Sequence, residues 1–305
     1  MRTGPVTSDL LRASVIAVPP LARTDDYSIS VEENRKVISH IEAGGIRTLL
    51  YGGNANLYHI RPDEYGPLLR LVAGAADEET LVIPAVGPSY GTMMSQAPAL
   101  ADSHFPTAMV LPMQGLTTSE GVTEGLRHFA HALGRPIVLY IKTSDYLEPE
   151  DAARLVDAGL ISFIKYAIVR DDPAEDPYLA RLVQVVDPAI IVSGIGEQPA
   201  LVHREKFLLA GFTSGCVCVN PSLSQAMLDA LNTGDLARAG MIRGLFQPLE
   251  NLRNSISPIR VLHEAIELSG IARSGPHLPL LSQLSDTERA SVGEAARKLL
   301  HLDLP

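Results

Sequence analysis

Short apolar runs rich in β-branched residues recur along the chain at intervals of roughly 25 to 35 residues, the spacing that βα units require. Eight are predicted as strands: SVIAVPP (14–20), RTLLYGG (47–53), LVIPAVG (81–87), TAMVLP (107–112), PIVLYIK (136–142), ISFIKYA (161–167), AIIVSG (189–194) and SGCVCVN (214–220). Between them lie segments with helical spacing. VEENRKVISHIEAGG ends on glycines that suit a C-cap, and PDEYGPLLRLVAGAA opens with Pro and two acids that suit a helix N-terminus. TTSEGVTEGLRHFAHALG, EPEDAARLVDAG and EQPALVHREKFLLAG continue the alternation.

Eight strands alternating with helices predict an α/β fold, a (β/α)8 TIM barrel over residues 1–220. The rival, an open doubly wound sheet, normally carries a Gly-rich G-x-G-x-x-G turn after its first strand, and VIAVPPLART has none. Residues 221–305 hold further helical stretches, SLSQAMLDALNTG, DLARAGMIRGLFQPLENLRNS, PIRVLHEAIELSG and SDTERASVGEAARKLL, expected as a C-terminal helical extension packed on the barrel. No internal repeat or long Pro/Gly-rich linker divides the chain.

The 305 residues are 46% hydrophobic and 20% charged, enough for a sizeable core and unlike a disordered chain. A net charge of -10 argues against nucleic-acid binding and against docking on anionic membrane lipid. No run approaches the length of a membrane span, and the N-terminus lacks a signal-peptide pattern, so a cytoplasmic protein is the simplest expectation. Cys216 and Cys218 stand one residue apart and form no disulfide framework; on a strand they would be small core residues. No Cys or His cluster has ligand spacing, so neither a metal nor a cofactor is expected. His59, His104, His128, His131 and His203 are scattered over helices and loops and read as surface histidines.

In a barrel, reactive groups belong at the C-terminal ends of strands. Only five basic residues are lysines, Lys36, Lys142, Lys165, Lys206 and Lys298, and only Lys142 and Lys165 fall on predicted strands. Alternation puts Ile161, Phe163 and Lys165 on one face. If that face is the interior, Lys165 stands at the mouth over an apolar layer, where burial lowers its pKa as an amine nucleophile requires. The alternative is a lysine snorkelling to water at a strand end. Val138, Tyr140 and Lys142 likewise share a face. Tyr140 is then either a proton shuttle one strand from Lys165 or an ordinary core aromatic. Lys142 either faces the mouth, where it can bind an anionic substrate group, or lies in solvent past the strand end. Gly52-Gly53-Asn54 after the second strand can form an anion-binding nest of N–H groups, although Gly-Gly-Asn is also common turn chemistry. The charged run 170–176 is expected to cap and solvate the next helix.

Taken together, these segments resemble the dihydrodipicolinate synthase/N-acetylneuraminate lyase family, over almost the whole chain and in order. GGNANLYHIRPDEY is similar to the family's Gly-Thr-Thr-Gly-Glu segment, PIVLYI to the strand bearing its tyrosine, and SFIKYA to the Schiff-base strand. IVSGIGE resembles the substrate-lining Ser-Gly-Asp turn, and GFTSGCVCVNPSL the last-strand segment that packs on the bound keto acid. The resemblance implies that Lys165 forms an imine with a pyruvate-like 2-keto acid and that Tyr140 shuttles protons. It also implies that Gly53, Asn54, Lys142, Ser193, Gly194 and Val217 bind substrate. An aldehyde or a sugar acid would be the other partner, and a homotetramer or homodimer the assembly.

The departures bear on the reaction. The family's paired threonines are Gly53 and Asn54, so the backbone donors survive while a hydroxyl is lost; the motif's Glu is Asn56. Pro112-Met113-Gln114 replaces Pro-Tyr-Tyr, and Asp145 stands where the synthases carry an arginine for the second substrate. The resemblance therefore implies a Schiff-base lyase or aldolase other than a typical dihydrodipicolinate synthase, catalysing C–C cleavage, condensation or dehydration. The alternative is a keto-acid-binding or regulatory protein on the same scaffold with weakened turnover.

Overall fold

The computed structural model describes residues 1–304. A short helix α1 (Ser8–Ala13) precedes the first strand and buries Leu11 against the barrel. The eight parallel strands are β1 (Ile16–Ala17), β2 (Thr48–Tyr51), β3 (Leu81–Val86), β4 (Met109–Val110), β5 (Ile137–Ile141), β6 (Ile161–Tyr166), β7 (Ile191–Ser193) and β8 (Gly211–Ser214). They close in sequence order, with β8 pairing back on β1. Except for half-buried Ser162, every strand residue is buried, as in a parallel sheet wrapped by helices on its outer face and filled by side chains within.

The crossover helices are α2 (Val31–Ala43), α3 (Pro62–Ala75), α4 (Tyr90–Ala101), α5 (Ser119–Leu133), α6 (Pro149–Asp157), α7 (Pro177–Val185) and α8 (Glu197–Phe207). Their starts follow capping chemistry. Ser30, Ser89, Thr118 and Asp176 each accept a backbone N–H at the head of a helix, and α3, α6 and α7 begin on proline. Two of these helices, α4 and α7, lie outside the helical segments predicted from the sequence. In α4, small residues and an internal Pro98 blur the stripe, and α7 follows directly on the charged run 170–176. Asp176 of that run caps α7 and is itself buried, accepting the Tyr166 hydroxyl and pairing with Arg170 at 3.3 Å.

The eighth strand lies earlier than the apolar run suggests. Ladder pairing ends at Ser214, and residues Cys216–Cys218 form a 3-10 turn rather than a strand. The reason is local: the Val217 N–H donates to Ser214 Oγ at 3.0 Å and the Cys218 N–H to Gly215 O at 3.1 Å. These bonds turn the chain out of the sheet. Both cysteines are buried and free, so their core placement stands although their strand alternation does not.

Four more helices follow, α9 (Pro221–Thr233), α10 (Leu236–Ser255), α11 (Pro258–Leu268) and α12 (Asp286–Leu300). The longest, α10, packs on α8, α9, α11 and α12, and its last turns reach the loop after β7. A C-terminal helix thus contributes side chains to the end of the barrel at which the strands finish. No helix among the described residues is long and apolar enough to cross a membrane.

Candidate active site

Tyr140 on β5 and Lys165 on β6 are register partners, and Lys165 Nζ lies 4.5 Å from the Tyr140 ring centroid. Both side chains are buried, Lys165 with only 4% of its surface exposed, above fully buried Phe163. Burial disfavours the ammonium, and the positive charges of Arg253 and Lys142 act in the same direction, so the Lys165 pKa falls from 10.5 to about 7. An amine with that value is substantially neutral, hence nucleophilic, at neutral pH. Gly194, immediately after β7, makes this packing possible. A Cβ there would stand 2.7 Å from Tyr166 O, 2.8 Å from Ala167 Cβ and 3.0 Å from Lys165 Cγ.

Lys142 follows β5 directly, with its ammonium 6.0 Å from the Tyr58 ring centroid. Partial desolvation lowers its pKa, but the residue is solvent-exposed overall, which limits the effect. Tyr58 is a site residue that strand reasoning misses, because it lies in a 3-10 turn (Leu57–His59) after β2. Burial pushes its phenol up to about 12, so it is protonated at neutral pH. Burial also holds the Tyr140 phenol well above its ordinary value, so it is protonated at neutral pH.

The segment after β2 is a compact loop closed by Asn56 N–H to Gly53 O at 2.9 Å and Leu57 N–H to Gly52 O at 3.2 Å. Among the described residues, the N–H groups of Gly53 and Asn54 are not taken up by these loop bonds, and both residues are half-buried. Asn54 Nδ2 donates to Val18 O at 3.0 Å, tying the loop to the chain beyond β1.

Other expected binding groups are placed differently. Ser193 lies at the end of β7, but its hydroxyl is fully buried and bonded to His203 Nδ1 of α8 at 2.9 Å, outside the barrel. His203 is therefore a core residue, correcting its surface reading. It packs edge-on to Tyr166 and Phe207, and burial lowers its pKa to about 4. Val217 is buried in the 3-10 turn, where its N–H holds Ser214.

Beside the loop after β7 lies a buried carboxyl pair with no sequence signal. Glu197 accepts from Ser214 Oγ at 2.8 Å and Ser224 Oγ at 2.7 Å, and its N–H donates to Glu250 Oε1 at 2.9 Å. Burial raises both pKa values, and the Glu197 charge raises Glu250 further. Gly196 must be glycine: its φ is 102°, and a Cβ would fall 2.0 Å from Glu250 Oε1. Arg253, one turn beyond Glu250, donates from Nη1 to Ile195 O at 2.9 Å. A groove of about 950 Å³ lies between α4 and α5, lined by Met93, Met113, Leu116 and Tyr146 among others; Lys165 is not in its lining.

The fold is a TIM barrel that carries a buried lysine on its sixth strand. Residues 14–299 match the dihydrodipicolinate synthetase family, and the chain belongs to it. It is 26% identical over 277 residues to the 4-hydroxy-tetrahydrodipicolinate synthase of Methanopyrus kandleri, covering 87% of this chain and 89% of that one. Identity to the enzyme of the same name from Thiobacillus denitrificans is 28% over 299 residues, covering 94% and 96%. Among solved structures, dihydrodipicolinate synthase from Oceanobacillus iheyensis superposes with a TM-score of 0.82 at 22% identity, covering 95% and 97%. A prophage protein of the family from E. coli K12, solved in complex with pyruvate, superposes with a TM-score of 0.79 at 18% identity, covering 93% and 98%.

Proposed function

We propose that the chain is a class I lyase or aldolase that forms a Schiff base between Lys165 and a pyruvate-like 2-keto acid. The observation that carries this reading is a single lysine, buried at the barrel mouth beside Tyr140, with its pKa drawn down to about 7. The family membership and the pyruvate found in the E. coli relative support the same assignment.

In this reading the neutral Lys165 amine attacks the keto carbon, and loss of water leaves a protonated imine. Tyr140 passes protons between the carbinol oxygen, the nitrogen and solvent. The N–H groups of Gly53 and Asn54 hold the carboxylate, and Lys142 adds a positive field at the rim. The iminium then withdraws electrons while the neighbouring C–C or C–O bond breaks, or while a carbon nucleophile forms.

Borohydride trapping with pyruvate and other 2-keto acids, read by intact mass, tests the proposal. Wild type should gain the mass of one reduced adduct, and Lys165→Ala none. Absence of an adduct in wild type, or trapping by Lys165→Ala, refutes it. Trapping without exchange of the pyruvate methyl protons would instead favour a keto-acid-binding or regulatory protein, a reading that the missing hydroxyl at Gly53 motivates.

A further inference from the structure

We propose that Arg253, on the C-terminal helix α10, seats a second anionic group of the substrate, so that the preferred substrate is a 2-keto acid carrying a carboxylate at its far end. This rests on the Schiff-base reading and sharpens it to a substrate class.

The guanidinium is committed on one side only. Nη1 donates to Ile195 O at 2.9 Å and to Asn254 Oδ1 at 3.0 Å. Among the described residues, the Nε–Nη2 edge makes no hydrogen bond, and Nε is buried without a partner. That edge is the planar fork that takes a carboxylate through two parallel N–H···O bonds. A buried donor left open is costly unless a ligand closes it.

Arg253 is also a cation without a countercharge in contact. No ion pair within 4.0 Å among the described residues includes Arg253, Lys142 or Lys165. Glu250 lies one turn earlier on α10. Its Oε1 is taken by the Glu197 N–H, and burial beside Glu197 drives it towards its neutral form. The hydrogen bond of Arg253 to Ile195 O, two residues past the end of β7, places the guanidinium at the C-terminal end of the barrel, the end at which Lys165 lies on the neighbouring β6.

The placement suits a short linear dianion. The Gly53–Asn54 cradle lies at the end of β2, and Arg253 at the end of β7, three strands round the barrel. A keto acid joined to Lys165 with its carboxylate towards the cradle has its other end free to meet Arg253. A neutral chain of equal length would leave the guanidinium edge open.

The test compares 2-oxoglutarate with 2-oxopentanoate, which has the same carbon count and no distal charge. Their half-saturating concentrations in borohydride trapping of the full chain are measured at fixed low salt. The expected ratio favours 2-oxoglutarate by about tenfold, the scale of one charge-assisted contact. It should fall towards one in Arg253→Gln, remain above one in Arg253→Lys, and shrink for wild type in high salt. Taking a ratio cancels any change in imine reactivity that the substitution brings. A wild-type ratio near one, with both acids trapped, overturns the subsite while leaving the Schiff base intact. So does a ratio that Arg253→Gln preserves. Trapping by neither these acids nor pyruvate overturns the underlying reading instead. If Arg253→Gln fails to fold, the wild-type ratio and its salt dependence decide alone.

Discussion

Replacing Lys165 by methionine should make the protein more stable, and pH should tune the gain. Holding an amine at about 7 instead of its ordinary 10.5 costs the folded state up to about 5 kcal/mol at and below neutral pH. Between those two values the unfolded chain binds a proton that the folded chain does not. Wild-type stability therefore climbs as pH rises from 7 to 10.5, and the full penalty applies below 7. Methionine has nearly the same length and no charge, so the variant lacks this dependence. Discounting for water that enters the mouth, Lys165→Met should gain about 3–5 kcal/mol at pH 6, or about 5–8 °C in Tm for a chain of this size. The gain should shrink to a small packing remainder near pH 10. Urea unfolding followed by circular dichroism at pH 6, 8 and 10 measures it, with wild type and variant side by side so that all other titrations cancel. A gain that is absent at pH 6, or that stays constant across the range, would refute the claim that Lys165 sits in the fold as a depressed amine.

Two further outcomes follow from contacts around the site. Gly194→Ala should destabilise by about 1–3 kcal/mol and slow pyruvate trapping, because its Cβ presses on Tyr166 O, Ala167 and Lys165; Gly74→Ala on α3, whose Cβ meets nothing within 4 Å, is the control and should be neutral or stabilising. His203 is held at about 4 against 6.5, so wild type should lose about 3 kcal/mol as pH falls from 6.5 to 4, and His203→Asn should flatten that slope in pH-resolved unfolding. An unchanged slope in the variant would show that another group controls the acid limb.

The barrel was legible because its information is local and periodic. Buried parallel strands such as LVIPAV and IVLYI read as continuous β-branched runs, and capping residues marked helices such as α3 and α6. The errors arose where local chemistry competes with pattern. SGCVCVN has the composition of a strand, yet Ser214 Oγ captures the Val217 N–H and ends the ladder. Helix α4 lacks a clear apolar stripe, and α7 is preceded by acids whose last member is a buried cap rather than a solvated charge.

The site divides along the same line. Strand parity and register bring Tyr140 and Lys165 together, because a period of two fixes which residues share the interior once one of them is known. Tyr58, Ser193, His203 and Arg253 obey no such period. Their positions depend on how a loop closes or how an outer helix docks, so a serine at a strand end turns outward to a histidine, while an arginine from the C-terminal helix reaches the mouth. Counting lysines leaves few places for a buried side-chain amine, and Lys165 is one of only two on the predicted strands. The count says nothing of the cations that arginine supplies, because arginine is abundant in this chain. The one sequence mark near that contact is Gly196, whose backbone only glycine adopts readily and whose missing Cβ admits Glu250 against the loop that Arg253 grips. Helix docking brings Arg253 to the loop after β7 and is not encoded in sequence periodicity, whereas the strand register that pairs Tyr140 with Lys165 is.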